Sequence, residues 1–367
     1  VRISFILPDL NGGGAQKMVI NMAREFSSRG YRVDLVVFNY VGDYVGSVSE
    51  TINIVNLEKS RALKAIIPLY FYFKKHQPDV IVSALFHVNL ITIFSKIFSF
   101  SKKSCLIISE RNYFSLQIKN FSKTKYFIIK KLISFLYPFA DYIVGISDGV
   151  CEDLKTIVSK KFHKKIKTIY NPVVKSNFSI KILEDIDSIY PENSRLKLIT
   201  SGRLEAQKDY PTLFKALAQY KEKYGDFHLV ILGKGSLEKT LQELSVELKI
   251  KDNISFLGFV DNPLAYMKQA DIFVISSAWE GFCNVIVEAL YAGLKIVSTD
   301  CLSGPSEILS NGKYGLLSPV GDIDALCKNI HLISEQKISC ETLRMRALEF
   351  TVEKKSDEFE HLFKEGY

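Results

Sequence analysis

ADIFVISSAWEGFCNVIVEALYAGLKIVSTD, residues 270–300, contains a whole strand–helix–strand unit. Ile272–Ser276 is a short apolar run of the kind expected for a strand buried on both faces, and Lys295–Thr299 repeats it. Between them a helix begins after Glu280-Gly281-Phe282-Cys283 and carries Glu288 about one turn inside. Strands joined in this way lie parallel in one sheet. The same alternation extends outward. Strands are expected at Lys197–Ser201, His228–Leu232 and Ile254–Leu257 in this half of the chain. In the other half they fall at Ile3–Leu7, Arg32–Asn39, Val80–Ala84, Cys105–Ser109 and Tyr142–Ile146. Two successive sets of about five predict an α/β protein of two doubly wound domains, not one giant sheet. The joint falls in the polar stretch Lys175–Arg195, after Asn171-Pro172. Ligands of such an architecture belong at the C-terminal ends of the strands, in the cleft between the domains.

Composition agrees and excludes several classes. A chain of 367 residues is long enough for two cores. Cys105, Cys151, Cys283, Cys301, Cys327 and Cys340 are widely spaced, with no CxxC pair and no His at ligand spacing. That argues against zinc sites and a disulfide framework and suits a reducing, cytoplasmic compartment. No charged segment with a cleavage site precedes the first strand, so no signal peptide is expected. No apolar run reaches the ~18–20 residues needed to span a bilayer. The net charge of +8 is unevenly placed: residues 1–178 hold 26 Lys+Arg against 12 Asp+Glu. Residues 60–131 hold 13 basic residues and only two acidic ones, Asp79 and Glu110. These cations alternate with Phe, Tyr and Ile and form no nucleic-acid-reading motif. An anionic membrane surface is therefore the expected partner, not nucleic acid. Within 122–138, Ile129, Leu132, Ile133 and Leu136 form a helical stripe expected to be core. Phe127, Lys130, Lys131 and Phe135 lie on other faces, where they suit either anionic lipid or a neighbouring helix.

The chemistry-bearing residues sit where strands give way to helices. Pro8-Asp9-Leu10-Asn11-Gly12-Gly13-Gly14-Ala15 reads equally as a flexible turn or as a loop that brings backbone N–H groups against an anion at a helix start. Arg203 and Lys208 straddle one strand–helix loop. They are either surface cations or partners for a diphosphate. Gly233-Lys234-Gly235 follows the next strand but is not the dinucleotide fingerprint, because Glu238 occupies the third glycine position. Glu280 and Glu288 flank a helix start whose N–H groups at Phe282, Cys283 and Asn284 can receive phosphate, while a carboxylate can hold a sugar or ribose hydroxyl pair. Asp185-Ile186-Asp187 and Asp322-Ile323-Asp324 are formally metal-binding patterns. The first lies in the linker and the second reads as a helix N-cap, so no metal site is expected.

The order GGGAQ (12–16), GRLEAQKDYPTL (202–213), GKGSLEKTLQEL (233–244), FLGFVDN (256–262), the segment 270–290 and SGPSEIL (303–309) resembles the family 4 retaining glycosyltransferases of the GT-B fold, of the kind that build bacterial cell-surface polysaccharides such as lipopolysaccharide or capsule. The resemblance implies an acceptor-side domain over 1–176 and a nucleotide-sugar-binding domain over 177–349, with a C-terminal helix near 350–367 packing back on the first. It implies that Arg203 and Lys208 bind the donor pyrophosphate, Glu280 contacts the transferred sugar and Glu288 holds the ribose. Gly13 and Gly14 would approach the phosphate, Gly233 and the segment Phe282, Cys283, Asn284 would line the donor site, and His87 would lie near sugar and acceptor. Ser109-Glu110-Arg111-Asn112 stands where relatives often pair His with Glu. Two positions depart from the pattern. Cys283 replaces the usual Gly or Pro, and Leu294 stands where Pro commonly follows Gly293.

The expected activity is metal-independent, cofactor-free transfer from a UDP-linked sugar to a hydroxyl on a glycan or lipid-diphosphate-linked acceptor. The enzyme would work in the cytoplasm, peripherally on the inner face of the plasma membrane. The alternatives are a nucleotide-sugar epimerase or hydrolase on the same fold, or a catalytically silent partner of a transferase.

Overall fold

The computed structural model describes residues 1–11, 13–99, 103–117, 122–177 and 186–364. Gly12 of the glycine loop and Asp185 of the linker pattern lie outside them. The chain divides into two compact units, one running from Val1 to Pro172 and resuming at Val352, the other Val173–Thr351.

The first unit is built on β1 (Arg2–Leu7), β2 (Arg32–Val37), β3 (Asn53–Asn56), β4 (Val80–Ala84), β5 (Cys105–Glu110), β6 (Tyr142–Gly145) and β7 (Ile166–Thr168). They form one sheet in the order β3-β2-β1-β4-β5-β6-β7. Every pairing is parallel: Phe5, for example, lies beside Leu35 on one side and Val82 on the other. The connecting helices are α1 (Gly14–Ser28), α2 (Ile66–His76), α3 (Phe86–Ser99), α4 (Phe114–Gln117), α5 (Lys123–Leu136) and α6 (Asp148–Lys155). Parallel crossovers are right-handed, so the direction of travel across the sheet decides which face a helix covers. The chain moves one way from β1 to β2 and the opposite way from β3 onward to β7. Helix α1 therefore covers one face, and α2, α3 and α5 cover the other, where α2 packs on α3 and α3 on α5.

The second unit repeats the plan with β8 (Lys197–Ser201), β9 (His228–Leu232), β10 (Ile254–Gly258), β11 (Ile272–Ile275), β12 (Lys295–Thr299) and β13 (Leu316–Ser318). Their order is β10-β9-β8-β11-β12-β13, again all parallel. Its helices are α7 (Tyr210–Lys223), α8 (Glu238–Glu247), α9 (Pro263–Met267), α10 (Asn284–Ala292), α11 (Pro305–Ile308), α12 (Ile323–Glu335) and α13 (Cys340–Ala347). Asp322 caps α12 by accepting from the Ala325 N–H at 2.9 Å, the role read for it in the sequence.

The sequence reading of two doubly wound domains holds, and three strands are added to it: β3, β7 and β13. Each is three or four residues long and lies at a sheet edge. An edge strand is buried less completely, so it needs no continuous apolar run. A second expectation is corrected. Of the stripe on α5 only Ile133 is buried; Leu132 is exposed, and Ile129 and Leu136 are half-buried. The helix rests on α3 along a narrow line and turns the rest of its apolar surface outward.

The last helix, α14 (Val352–Lys364), belongs to the first unit and packs on α1. Phe363 meets the rings of Phe26 and Tyr31 at centroid distances of 6.0 Å. Around them the Arg29 guanidinium pairs with Asp357 and Glu360 at 2.7 Å each, and the Tyr31 hydroxyl donates to Glu360. Phe363 is buried. We predict that Phe363→Ala lowers stability by ~3–5 kcal/mol, the usual cost of emptying a buried aromatic site, read from urea denaturation. An unchanged midpoint would show that α14 is not part of the first unit's core.

Candidate functional site

In each sheet the strand order reverses once, between β1 and β4 and between β8 and β11. Loops leaving the C-terminal ends of those two strands diverge to opposite faces and leave a crevice, the usual ligand position in an open parallel sheet. In the second unit the two loops are Gly202–Asp209, after β8, and Ser276–Cys283, after β11. They are tied together by backbone. The Ser276 hydroxyl donates to the carbonyls of Lys208 and Asp209 at 2.8 and 2.9 Å, and the Ala278 N–H donates to the Gln207 carbonyl at 2.9 Å.

Across this junction Lys208 and Glu280 meet. The Lys208 ammonium lies 2.6 Å from Glu280 Oε1, with the two side chains only 14% and 8% exposed. Burial alone would draw the Lys208 ammonium down, but the adjacent Glu280 carboxylate outweighs it and holds the pKa above its ordinary value. Glu280 Oε1 also accepts from the Ser277 hydroxyl at 2.7 Å. Glu280 Oε2 has one long bond, 3.4 Å, from the Gln207 amide, and so keeps acceptor capacity. Arg203, in the same loop, is exposed; it adds to the pull of the Ser236 N–H and hydroxyl that keeps Glu205 below its ordinary pKa.

Helix α10 starts immediately after this pair. Its N-cap residue, Cys283, makes no side-chain capping bond, and its first turn carries no acidic residue. Its N-terminus is thus electrostatically open to an anion. Cys283, the N-cap, has φ +73°, the left-handed region that favours glycine, which gives a physical reason for the Gly expected there. Its thiol is buried, and burial together with Glu280 pushes its pKa well up, so it is no nucleophile. Phe282 is buried against Phe350, while Asn284 and Glu288 on α10 are half-buried. Gly233 has a reason of its own: with φ +139°, a Cβ there would lie 2.1 Å from the Gly202 carbonyl oxygen. A Cβ at Gly304, φ +96°, would likewise lie 2.2 Å from the Phe282 carbonyl oxygen. Both glycines let neighbouring loops close together whether or not a ligand is bound.

In the first unit the reversal lies between the loops after β1 and β4. They share a cavity of about 330 Å³ whose polar lining includes Asp9, Asn11, Asn39, Lys59, Ser60 and His87. His87 comes two residues after Leu85, a non-glycine residue at φ +81°. Burial lowers its pKa and Asp9 only partly offsets this, so its imidazole is neutral at pH 7. Asp9 Oδ1 accepts from the Asn11 N–H and the Gln16 amide at 3.1 and 3.2 Å. Helix α1, with Gly13 as N-cap and Gly14 as first residue, has neither a side-chain cap nor an acid in its first turn. Glu110 ends β5 and Arg111 follows it, both buried. Burial pushes the Glu110 carboxyl up to about 7, against hydrogen bonds from Tyr137 and Asn89, and draws Arg111 down to about 9. Arg111 donates from Nη1 to Ser109 and from Nη2 to Asn171, while its buried Nε has no partner among the described residues.

The sequence-predicted residues thus fall into local groups. Arg203, Lys208, Glu280, Phe282, Cys283, Asn284 and Glu288 belong to the two loops and the helix at one reversal; His87, Gly13 and Gly14 belong to the other. Sequence reasoning missed Ser277 and Gln207, which orient Glu280, and Asp9, Asn39 and Lys59 beside His87. The available signal was positional, since Asp9 lies two residues past the end of β1. A larger hollow of about 650 Å³ at the ends of β11, β12 and β13 contains Asp300 and Cys301 but none of the predicted residues and no cation. Among the described residues no group of three or more His, Cys, Asp or Glu is placed to hold a metal.

Family models for Glycosyltransferase Family 4 and for Glycosyl transferases group 1 match residues 12–176 and 184–350. An N-acetylgalactosamine-N,N'-diacetylbacillosaminyl-diphospho-undecaprenol 4-alpha-N-acetylgalactosaminyltransferase of Campylobacter jejuni is 30% identical over 91% of this chain and 90% of its own. A lipopolysaccharide 1,6-galactosyltransferase of Escherichia coli is 28% identical over 72% and 67%. Among solved structures, an apo lipopolysaccharide outer core galactosyltransferase superposes with TM-score 0.76 at 22% identity over 100% of both chains. An Anabaena protein in complex with UDP and glucose gives 0.77 at 18% over 99% of both.

Breaking one side of a buried pair strands the other charge. We predict that Lys208→Met and Glu280→Gln each cost ~3–5 kcal/mol, while the double variant recovers a large share. Strictly additive losses in urea denaturation would exclude a coupled ion pair.

Proposed function

The chain belongs to the family 4 glycosyltransferases, and on that premise we propose that it moves a sugar, with retention of configuration, from a UDP-linked donor to a hydroxyl of a lipid-diphosphate-linked glycan. The observation that carries this reading is the Lys208–Glu280 pair at the β8/β11 reversal. It brings a cation and a carboxylate together beside the start of α10, whose N-cap residue makes no side-chain capping bond and whose first turn has no acid.

In this mechanism the donor diphosphate lies on the α10 N-terminus, with Arg203 and Lys208 neutralising the charge that builds as the bond from the sugar's anomeric carbon to the phosphate oxygen breaks. Glu280 Oε2 accepts from a hydroxyl of the transferred sugar and fixes its orientation. Glu288 receives the ribose hydroxyls one turn further along α10. The acceptor oxygen bonds to the anomeric carbon on the face the phosphate is leaving, and its proton passes to that phosphate oxygen. No protein nucleophile takes part. His87, held neutral beside Asp9, and the polar lining around them suit hydroxyls of the acceptor. Gly13 and Gly14 give the first unit an anion-compatible helix start. An epimerase or hydrolase needs a carboxylate free to take a proton or activate water. Glu280, bound by Lys208 and Ser277, is not free in that sense.

The relatives support the substrate classes. The Campylobacter enzyme is named for a diphospho-undecaprenol acceptor, and the Anabaena structure holds UDP. We predict that Lys208→Ala and Glu280→Gln, assayed as folded protein against a panel of UDP-sugars, lose turnover by at least ~10²-fold. Near-wild-type turnover in either would reject this placement of the donor. Turnover should also survive exhaustive chelation, because Arg203 and Lys208 supply the positive charge; loss on chelation restored by magnesium or manganese would assign the charge to a metal instead.

A further inference from the structure

The two oxygens of the Glu280 carboxylate are unequally served. Oε1 receives the Lys208 ammonium at 2.6 Å and the Ser277 hydroxyl at 2.7 Å. Ser277 is itself buried, with its carbonyl held by the Thr299 hydroxyl at 2.7 Å. Among the described residues Oε2 receives only the Gln207 amide, at 3.4 Å, which is long for a hydrogen bond. The same Gln207 nitrogen donates to the Trp279 carbonyl at the ordinary distance of 2.9 Å. Gln207 is therefore anchored on Trp279 and lies beside Oε2 without satisfying it.

That anchoring decides which way the carboxamide points. A carbonyl and a carboxylate can only accept, so the nitrogen must face both; the flipped amide would set oxygen against oxygen at each. Gln207 Oε1 then lies across the amide carbon, where no donor among the described residues reaches it and where it is not sealed from solvent. The backbone beneath it is held. Gln207 belongs to the short 3-10 turn Ala206–Lys208, and its own carbonyl accepts from the Ala278 N–H at 2.9 Å. A side chain placed in advance in this way loses little entropy when a ligand meets it. The result is two open acceptors, Glu280 Oε2 and Gln207 Oε1, a carboxamide's width apart at the β8/β11 reversal.

We propose that Gln207 is a specificity-determining residue that reads the donor sugar jointly with Glu280: Oε2 accepts from one ring substituent and Gln207 Oε1 from its neighbour. The substrate class is thereby narrowed to sugars with hydrogen-bond donors on two adjacent ring carbons, either two hydroxyls or a hydroxyl beside an acetamido N–H. An acceptor in a closed site that is left without its donor is penalised, which is how such a site rejects a sugar lacking one of them. Arg203 and the start of α10 face the diphosphate, which every such donor carries, so they cannot make this distinction. The inference rests on the donor placement proposed above and adds to it the residue that chooses the sugar.

The test pairs deletions in the protein with deletions in the sugar. The full chain, Gln207→Met, Gln207→Ala and Glu280→Gln are given whichever of UDP-glucose, UDP-galactose, UDP-N-acetylglucosamine and UDP-N-acetylgalactosamine the wild type turns over fastest. Each also receives the analogues of that donor lacking one ring hydroxyl at a time, with melting temperatures as a folding control. The quantity read is the ratio of kcat/KM between the full donor and each deoxy donor, which cancels any loss of active protein. At one ring position deoxygenation is expected to cost the wild type ~10²-fold or more and both Gln207 variants less than about tenfold. Glu280→Gln is expected to relieve the penalty at the adjacent position. A Gln207 that only braces the two loops lowers kcat/KM for all donors alike and leaves every ratio unchanged. That outcome, with a ratio still shifted by Glu280→Gln, overturns this inference and leaves the donor placement standing. Ratios unchanged in all three variants, or no turnover of any of the four donors, overturn the donor placement and this inference with it.

Discussion

A parallel strand can be followed by its neighbour only through a right-handed crossover, so a sheet wound outward in both directions must reverse once. That constraint organises both halves of this molecule. It places α1 on one face and α2, α3 and α5 on the other, and it opens a crevice where successive loops part. Lys208 and Glu280 come from loops separated by some seventy residues of chain, yet they touch because β8 and β11 are the two strands at the reversal. Asp9 and His87 share a cavity for the same reason in the first unit. Chemistry therefore collects where topology leaves room, as expected for an open α/β sheet of the GT-B type.

The site is prepared by backbone before any substrate is considered. Ser276 holds the Lys208 loop by its carbonyls, and Thr299 and Ser303 donate to the carbonyls of Ser277 and Gly281 at 2.7 Å each. Gly233 and Gly304 allow neighbouring loops to approach within distances that no Cβ would tolerate. The Lys208–Glu280 pair sits inside this frame. A buried ion pair is a weak contributor to stability, but its geometry can be sharply defined.

The alternation of apolar strands and amphipathic helices was enough to read the architecture from sequence, because a strand covered on both faces must be apolar throughout. Asn53–Asn56, Ile166–Thr168 and Leu316–Ser318 escaped notice because edge strands are free of that requirement. Lys208 and Glu280 were legible as residues, through motif and position, but not as a pair, since only the strand order brings them together. Leu132 was misread for a related reason. Helical spacing predicts an apolar face, and it cannot say whether the fold or something outside it will cover that face.

Helix α14 has a consequence for how the molecule comes into being. The first unit's core includes Phe359 and Phe363, which lie at the end of the described chain, while the whole of the second unit intervenes in sequence. Domains fold as they leave the ribosome, N-terminal first where they are continuous. Here the first unit emerges early but lacks one wall, leaving Phe26 and Tyr31 without the Phe363 ring and Arg29 without Asp357 and Glu360. It must wait, incomplete, while the second unit is synthesised and folds. The order of synthesis thus makes the second unit the earlier to mature, and a nascent chain that stalls anywhere before Val352 leaves a half-built first unit for chaperones to hold.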